Sequence, residues 1–171
     1  MMRQLNFLDT EKKESPQLCN IDIWELFVDG ASRNNPGLAG VGIVILKNDK
    51  SLKNYGFFVG CKTNNQAEYL ALIIGLLKLK QLMAADDKLI INSDSELVVK
   101  HIKGLYKVKN ELLKPLYNVT MDLLKDLVYD INHVVREKNK KADALANKGV
   151  DTKTPVSDDL LKALHEYEIS L

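Results

Sequence analysis

Four acidic residues stand where an apolar run begins or ends, and any fold that gathers them must compensate their charge. Asp29 closes the run Leu26-Phe27-Val28, and Glu68 opens "YLALIIGLL". Asp94 follows "LIINS", and Asp143 stands in "KKADALAN". An unpaired carboxylate taken out of water beside such runs costs several kcal/mol. Four that converge without countercharge repel one another and raise one another's pKa values. A divalent cation removes that penalty, and an all-oxygen donor set suits Mg²⁺ or Mn²⁺. Each acid also has an ordinary reading. Asp94 before Ser95 can be a turn former or helix N-cap, and Glu68 and Asp143 can complement a helix dipole from a first turn. Taken singly these roles are the commoner ones; the joint placement favours a metal site.

The elements between the acids follow from pattern. "IWELFV" alternates, with Trp24, Leu26 and Val28 on one face of a strand. Asn35-Pro36-Gly37 is a turn signal. "AGVGIVILKND" and "NYGFFVGC" read as two further strands joined by a hairpin. Thr63 and Gln66 form a capping-box pair, so a helix begins near Asn64, with Glu68 in its first turn. "DKLIINSD" is a fourth strand, apolar as for one buried on both faces. "SELVVKHIKG" is a short helix closed by Gly104, and residues 110–127 a longer one that tolerates Pro115 in its first turns. "YDINHVV" gives a fifth strand, with His133 a packed strand residue. Residues 136–141 form a loop, "KKADALANKGV" a helix opened by Asp143 and ending at Gly149, and "SDDLLKALHEYEISL" an amphipathic C-terminal helix. The order βββαβααβα plus a terminal helix predicts an α/β fold, a five-stranded mixed sheet flanked by helices with one extra C-terminal helix.

Length allows one domain with a real core. Residues 1–20 are polar and broken by Pro16 and read as a flexible N-terminal extension, 21–150 as the main domain, and 151–171 as a C-terminal helical tail. The net charge of +1 provides no global field for a polyanion or an anionic membrane, so nucleic acid would have to be held by local patches. One such patch is "KHIKGLYKVKNELLK", with Lys100, Lys103, Lys107, Lys109 and Lys114 against Glu111 alone; a solvated helix face reads equally well. Tyr106 within it is expected to pack in the core. Cys19 and Cys61 share no metal-ligand spacing and build no disulfide framework, and the N-terminus has no apolar signal region. No run approaches the roughly 20 apolar residues of a membrane span. A cytoplasmic monomer is expected. The glycines of "GLAGVG" lack the helix that a dinucleotide fingerprint needs directly after them, and suit a turn and close sheet packing instead.

"FVDGASRNNPG", "TNNQAEYLAL", "INSDSELVV" and "REKNKKADALAN" resemble, in order, the four signature blocks of type 1 ribonuclease H, over about Phe27 to Gly149. The nearest likeness is to the compact bacterial and archaeal forms. The resemblance implies a ribonuclease H-like catalytic domain over 21–150. It would hydrolyse the RNA strand of an RNA–DNA hybrid with two divalent ions, Mg²⁺ or possible Mn²⁺, leaving 5′-phosphate and 3′-hydroxyl ends. By motif position Asp29 would bridge both ions, Asp143 would complete the site of the water-activating ion, and Glu68 and Asp94 would help hold the other. The backbone of Gly30, Ala31 and Ser32, with the side chains of Asn34, Asn64, Asn65 and Gln66, would read the minor groove and the 2′-hydroxyl. Thr63 would help hold a DNA-strand phosphate, and Lys107 and Lys109 would track the backbone.

The chain departs from many bacterial members in having no histidine in the loop before Asp143, where Arg136 or Glu137 could stand in, and in lacking a larger basic protrusion. Two other classes of function stay open at this point. One is a non-catalytic nucleic-acid-binding module of the same fold, to which four desolvated carboxylates are of no use. The other is a related metal-dependent nuclease on other structured nucleic acid, which the "NNQAE" readers disfavour.

Overall fold

Strand β1 (Ile23–Ser32) is the centre of the molecule. Its alternation buries Trp24, Leu26 and Val28 almost completely on one face, as the pattern predicts. The strand continues beyond the apolar run through Asp29 to Ser32 because it is paired on both sides. Its neighbours are β2 (Gly37–Lys47), antiparallel with Asp29 opposite Gly42, and β4 (Lys88–Ser93), parallel with Val28 opposite Ser93. Strand β3 (Lys50–Lys62) returns from β2 through Asn48 and Asp49, both at positive φ, the conformation that two-residue hairpins require. Strand β5 (Val128–His133) pairs with β4, and the five-stranded sheet has the order β3-β2-β1-β4-β5. The computed structural model describes residues 21–171; the expected N-terminal extension, residues 1–20 with Cys19, lies outside them.

Five helices complete the expected order: α1 (Asn64–Lys80), α2 (Glu96–Ile102), α3 (Lys114–Leu124), α4 (Arg136–Thr152) and α5 (Asp158–Glu166). Helix α1 starts where the capping box puts it, with the Thr63 hydroxyl accepting from the Gln66 N–H and the Gln66 side chain accepting from the Thr63 N–H. It is buried almost throughout, lying on one face of the sheet with α3 alongside. Gly104 ends the α2 turn at φ +70°. None of the described helices is long and apolar enough to cross a membrane.

Three boundaries differ from the sequence reading. Helix α3 begins at Lys114 rather than Asn110, because Pro115 fits only in a first turn; Glu111 to Leu113 form a separate turn. Helix α4 begins at Arg136, so residues 136–141 are helical and not a loop. No Ser, Thr, Asp or Asn marks its start; the N-cap is Val135, whose side chain caps nothing. It also runs past Gly149 to a left-handed cap at Lys153. Gly149 serves packing instead: a Cβ there would stand 2.5 Å from the Phe57 carbonyl oxygen.

Two close approaches fix the helices that matter most. A Cβ on Gly30 would lie 2.2 Å from the Glu68 nitrogen, so only glycine lets β1 run this close to α1. On the opposite face a Cβ on Gly42 would lie 1.9 Å from the Ala142 carbonyl oxygen, and Gly40 and Gly56 extend the same bare trough beneath α4. After α4 the chain stays on the body. The Thr154 carbonyl accepts from the Phe58 N–H at 2.7 Å, and Leu160, Leu164 and Ile169 join the same hydrophobic core as α1. Gly42→Ala is therefore expected to destabilise the fold by about 1–3 kcal/mol or more, through overpacking against a main-chain atom. Urea denaturation checks it, and an unchanged midpoint would mean that α4 can lift from the sheet freely.

Candidate active site

Asp29 lies in β1 with its side chain on the α4 side of the sheet, and Asp94 directly follows the neighbouring parallel strand β4. The carboxyl ends of adjacent parallel strands are where an open α/β sheet leaves a crevice. Glu68 enters from α1 across Gly30, whose N–H donates to Glu68 Oε2 at 3.2 Å. Asp143 enters from α4 across the glycine trough. All four carboxylates line one cavity of about 330 Å³, together with Gly30, Ala31, Ser32, Asn64, Arg136 and Asn147.

The ordinary readings of these acids do not survive their positions. Glu68 is the fifth residue of α1, whose first turn holds no acid, so it is badly placed to complement the helix dipole. Asp143 is the eighth residue of α4 and does not open it, as the sequence reading had it. Asp94 is not the cap of α2; Ser95 occupies that position, and Asp94 Oδ1 instead accepts from the Asn139 amide at 2.6 Å. Asp29 is only 5% exposed. Burial, the charges of Asp94 and Asp143, and a hydrogen bond shared with Asp94 push its pKa up to about 7. Burial, followed by the charges of Asp29 and Asp94, raises Glu68 well above the ordinary carboxylate range, against the Gly30 hydrogen bond.

Arg136 brings positive charge into the cavity, its Nη2 standing 2.8 Å from Asp143 Oδ1, and it opposes the shifts of Asp29 and Glu68. As the side chains stand, no group of three or more His, Cys, Asp or Glu among the described residues is arranged to hold a metal ion. One of the four, Asp143, is engaged by Arg136. By donor type and number the set fits a hard divalent cation: four carboxylates, no nitrogen or sulfur ligand, and a central acid whose ionisation is suppressed by burial and by its like-charged neighbours.

The expected substrate contacts divide into three groups. Gly30, Ala31, Ser32 and Asn64 line the carboxylate cavity. Asn65, Lys107 and Lys109 line a second groove with Tyr106, about 510 Å³ in volume. Lys100 is engaged by Glu96 and Lys114 by Glu111, each at 2.6 Å, whereas Lys107 and Lys109 make no ion pair among the described residues. Asn34, Thr63 and Gln66 line neither space. Thr63 and Gln66 cap α1 on each other, and Gln66 faces a cavity shared with Ile169 and Ser170. Tyr106 is 50% exposed and not in the core, with the Lys100 ammonium 4.7 Å from its ring centroid. His133 is likewise exposed rather than packed, and its Nε2 lies 3.2 Å from the Asp94 carbonyl oxygen.

The sequence reading missed Asn139 and Asn147. Asn139, Asp143 and Asn147 are spaced by four residues and so share one face of α4. For Asn139 that spacing carries no signal while residues 136–141 are read as loop; for Asn147 it is present in the predicted helix and was overlooked.

A family model described as reverse transcriptase-like matches residues 27–149. A ribonuclease HI of Halobacterium salinarum is 39% identical over 130 residues, 73% of this chain and 63% of that protein. The chain thus spans less than two thirds of that relative's length. The crystal structure of RNase H1 from the same archaeon superposes with TM-score 0.72 and 36% identity, covering 76% of this chain and 98% of that one. A ribonuclease H of Pseudomonas putida is 30% identical, over 76% of this chain and 95% of its own length. LC11-RNase H1, isolated from compost and crystallised in complex with RNA/DNA hybrid, has TM-score 0.71 and 35% identity, covering 77% of this chain and 97% of that one.

The raised pKa of Asp29 has a definite sign in stability. As pH rises from about 4 to about 7, the unfolded chain releases this proton while the folded chain retains it. Stability falls across that window and stays lowered above it. Asp29→Asn, which removes the charge at nearly constant shape, is expected to raise stability at pH 8 in chelator by on the order of 1–4 kcal/mol. Urea midpoints at pH 5 and pH 8 check it: the gain should shrink at the lower pH, and a variant less stable than its parent at pH 8 would contradict the electrostatic account.

Proposed function

The chain belongs to the type 1 ribonuclease H family, and on that premise we propose that it hydrolyses the RNA strand of RNA–DNA hybrids. The observation that carries this reading is the convergence of Asp29, Glu68, Asp94 and Asp143, from four different elements, on one cavity where burial and mutual repulsion push Asp29 up to about 7. A protein that only bound nucleic acid would gain nothing from desolvating four carboxylates against a phosphate.

Asp29, on which Asp94 and Asp143 both act electrostatically, would be the central ligand of a pair of divalent cations. Asp143 would complete one ligand set, and Glu68 and Asp94 the other. Two Mg²⁺ or Mn²⁺ ions, when bound, supply activation of the attacking water and stabilisation of the leaving 3′-oxygen, giving 5′-phosphate and 3′-hydroxyl ends. Arg136, which lines the same cavity, would have to release Asp143 for this role. Gly30, Ala31 and Ser32 leave the cavity edge without bulky side chains, so that a ribose 2′-hydroxyl can approach the main chain. The groove of Asn65, Tyr106, Lys107 and Lys109 offers an aromatic face and two cations to the hybrid backbone.

Two experiments test this. A labelled RNA–DNA hybrid incubated with Mg²⁺ or Mn²⁺ should be cut internally in its RNA strand, and chelator should abolish the cuts. Asp94→Asn should lose about 100-fold or more of the rate, the upper end of what loss of even an outer metal partner costs. Hybrid binding without cleavage under either metal would sink the enzymatic reading. In the second, the double variant Lys107→Ala, Lys109→Ala should weaken hybrid binding and reduce the slope of log affinity against log salt by about 2. An unchanged slope would make the patch a solvated face.

A further inference from the structure

Three of the four carboxylates are each oriented by one donor from the protein: Glu68 by the Gly30 N–H at 3.2 Å, Asp143 by Arg136 at 2.8 Å, and Asp94 by Asn139 at 2.6 Å. The three donors differ in kind. The Gly30 amide belongs to the sheet. Arg136 is largely exposed, so a stronger partner can draw it away. Asn139 is 1% exposed and held in place. Its amide group donates one hydrogen to Asp94 Oδ1 and the other to the Val28 carbonyl at 2.9 Å, one residue before Asp29. A single side chain on α4 thus ties Asp94, just past the end of β4, to the middle of β1 beside Asp29.

The amide can point only one way. Turned over, its oxygen would face a carboxylate and a carbonyl, two acceptors with no donor between them. In the orientation it adopts, its own oxygen is fully buried and has no partner among the described residues. A buried acceptor left unpaired is costly. Packing alone would be served as well by an apolar side chain of similar size; only the donors need an asparagine.

We infer that Asn139 is a positioning residue that fixes the Asp94 carboxylate relative to Asp29 for divalent-cation binding. This rests on the proposed function in that Asp94 and Asp29 are taken as metal ligands. Asn139 itself lies behind the carboxylates, too buried to reach a substrate, and acts through Asp94. Against the repulsion among the acids it holds Asp94 in one orientation, which the exposed Arg136 pair does not do for Asp143.

The test is Asn139→Leu in the full chain, with Asn139→Ser as the graded variant that keeps one hydroxyl donor. Leucine relieves the orphaned oxygen but leaves the Val28 carbonyl without its Asn139 donor, effects of similar size and opposite sign, so the melting temperature in chelator should stay within about 4 °C of the parent. The dissociation constant for Mn²⁺ or Mg²⁺, measured by calorimetry on free protein, should rise about tenfold or more. With hybrid substrate, kcat should fall by a similar factor while KM is unchanged, and Asn139→Ser should lie between parent and leucine in both readouts. A folded Asn139→Leu or Asn139→Ser protein that binds the cation as tightly as the parent would overturn the inference, as would a change in KM alone. A parent protein that binds no divalent cation would instead overturn the metal reading of the carboxylates, so the two failures are distinguishable.

Discussion

Helix and strand touch here with no side chain between them. Where β1 passes α1 the strand carries Gly30, and where β2 passes α4 it carries Gly42; a methyl group at either point would overlap main-chain atoms. A carboxylate side chain is short, so acids on two helices can meet an acid in the central strand only if both helices lie against the sheet at minimal distance. The glycines set that distance. The β-branched and leucine-rich remainder of β1, β2 and α1 supplies the burial that keeps the helices there.

What is brought together is unfavourable by itself, and the rest of the chain holds it. The contrast with Asp87 makes this concrete. Asp87 is as buried as Asp29, 6% exposed against 5%. Burial pushes its pKa up too, but it accepts from the Ala84 N–H, the Trp24 indole and the Asp22 N–H, at 2.9, 2.8 and 3.1 Å, and the net shift is downward. Asp87 is a fastener between the start of β1 and the approach to β4, with its charge fully answered by donors. Asp29 has no N–H donor among the described residues and is shifted the other way. Two acids of similar exposure are thus told apart by their surroundings: hydrogen-bond donors around Asp87, deeper packing and other carboxylates around Asp29.

Much of this arrangement was legible in the sequence because it rests on local signals. The order of elements followed from alternation, from the Thr63 and Gln66 capping pair, and from turn residues at Asn48 and Asp49. The four acids stood out because each sits against an apolar run. Where the reading failed, the deciding physics was not local. The run "REKNKK" looks like a solvated loop, yet it is helical from Arg136 because packing on the glycine trough, and not a cap, fixes α4. Asn139 was hidden in that run: among five charged neighbours it gives no sign that it alone is turned inward. Gln66, expected to read the minor groove, also commits its side-chain oxygen to the capping pair that located the helix.

The stretch that matches the family ends at residue 149, but the hydrophobic core does not. Leu160, Leu164 and Ile169 close over α1, the helix that delivers Glu68. The inherited unit and the cooperative unit therefore have different boundaries. A graft of residues 27–149 into another protein would carry every carboxylate of the cavity and leave an oily strip of α1 bare. In modular terms, the last twenty or so residues behave as part of the chassis and not as an accessory.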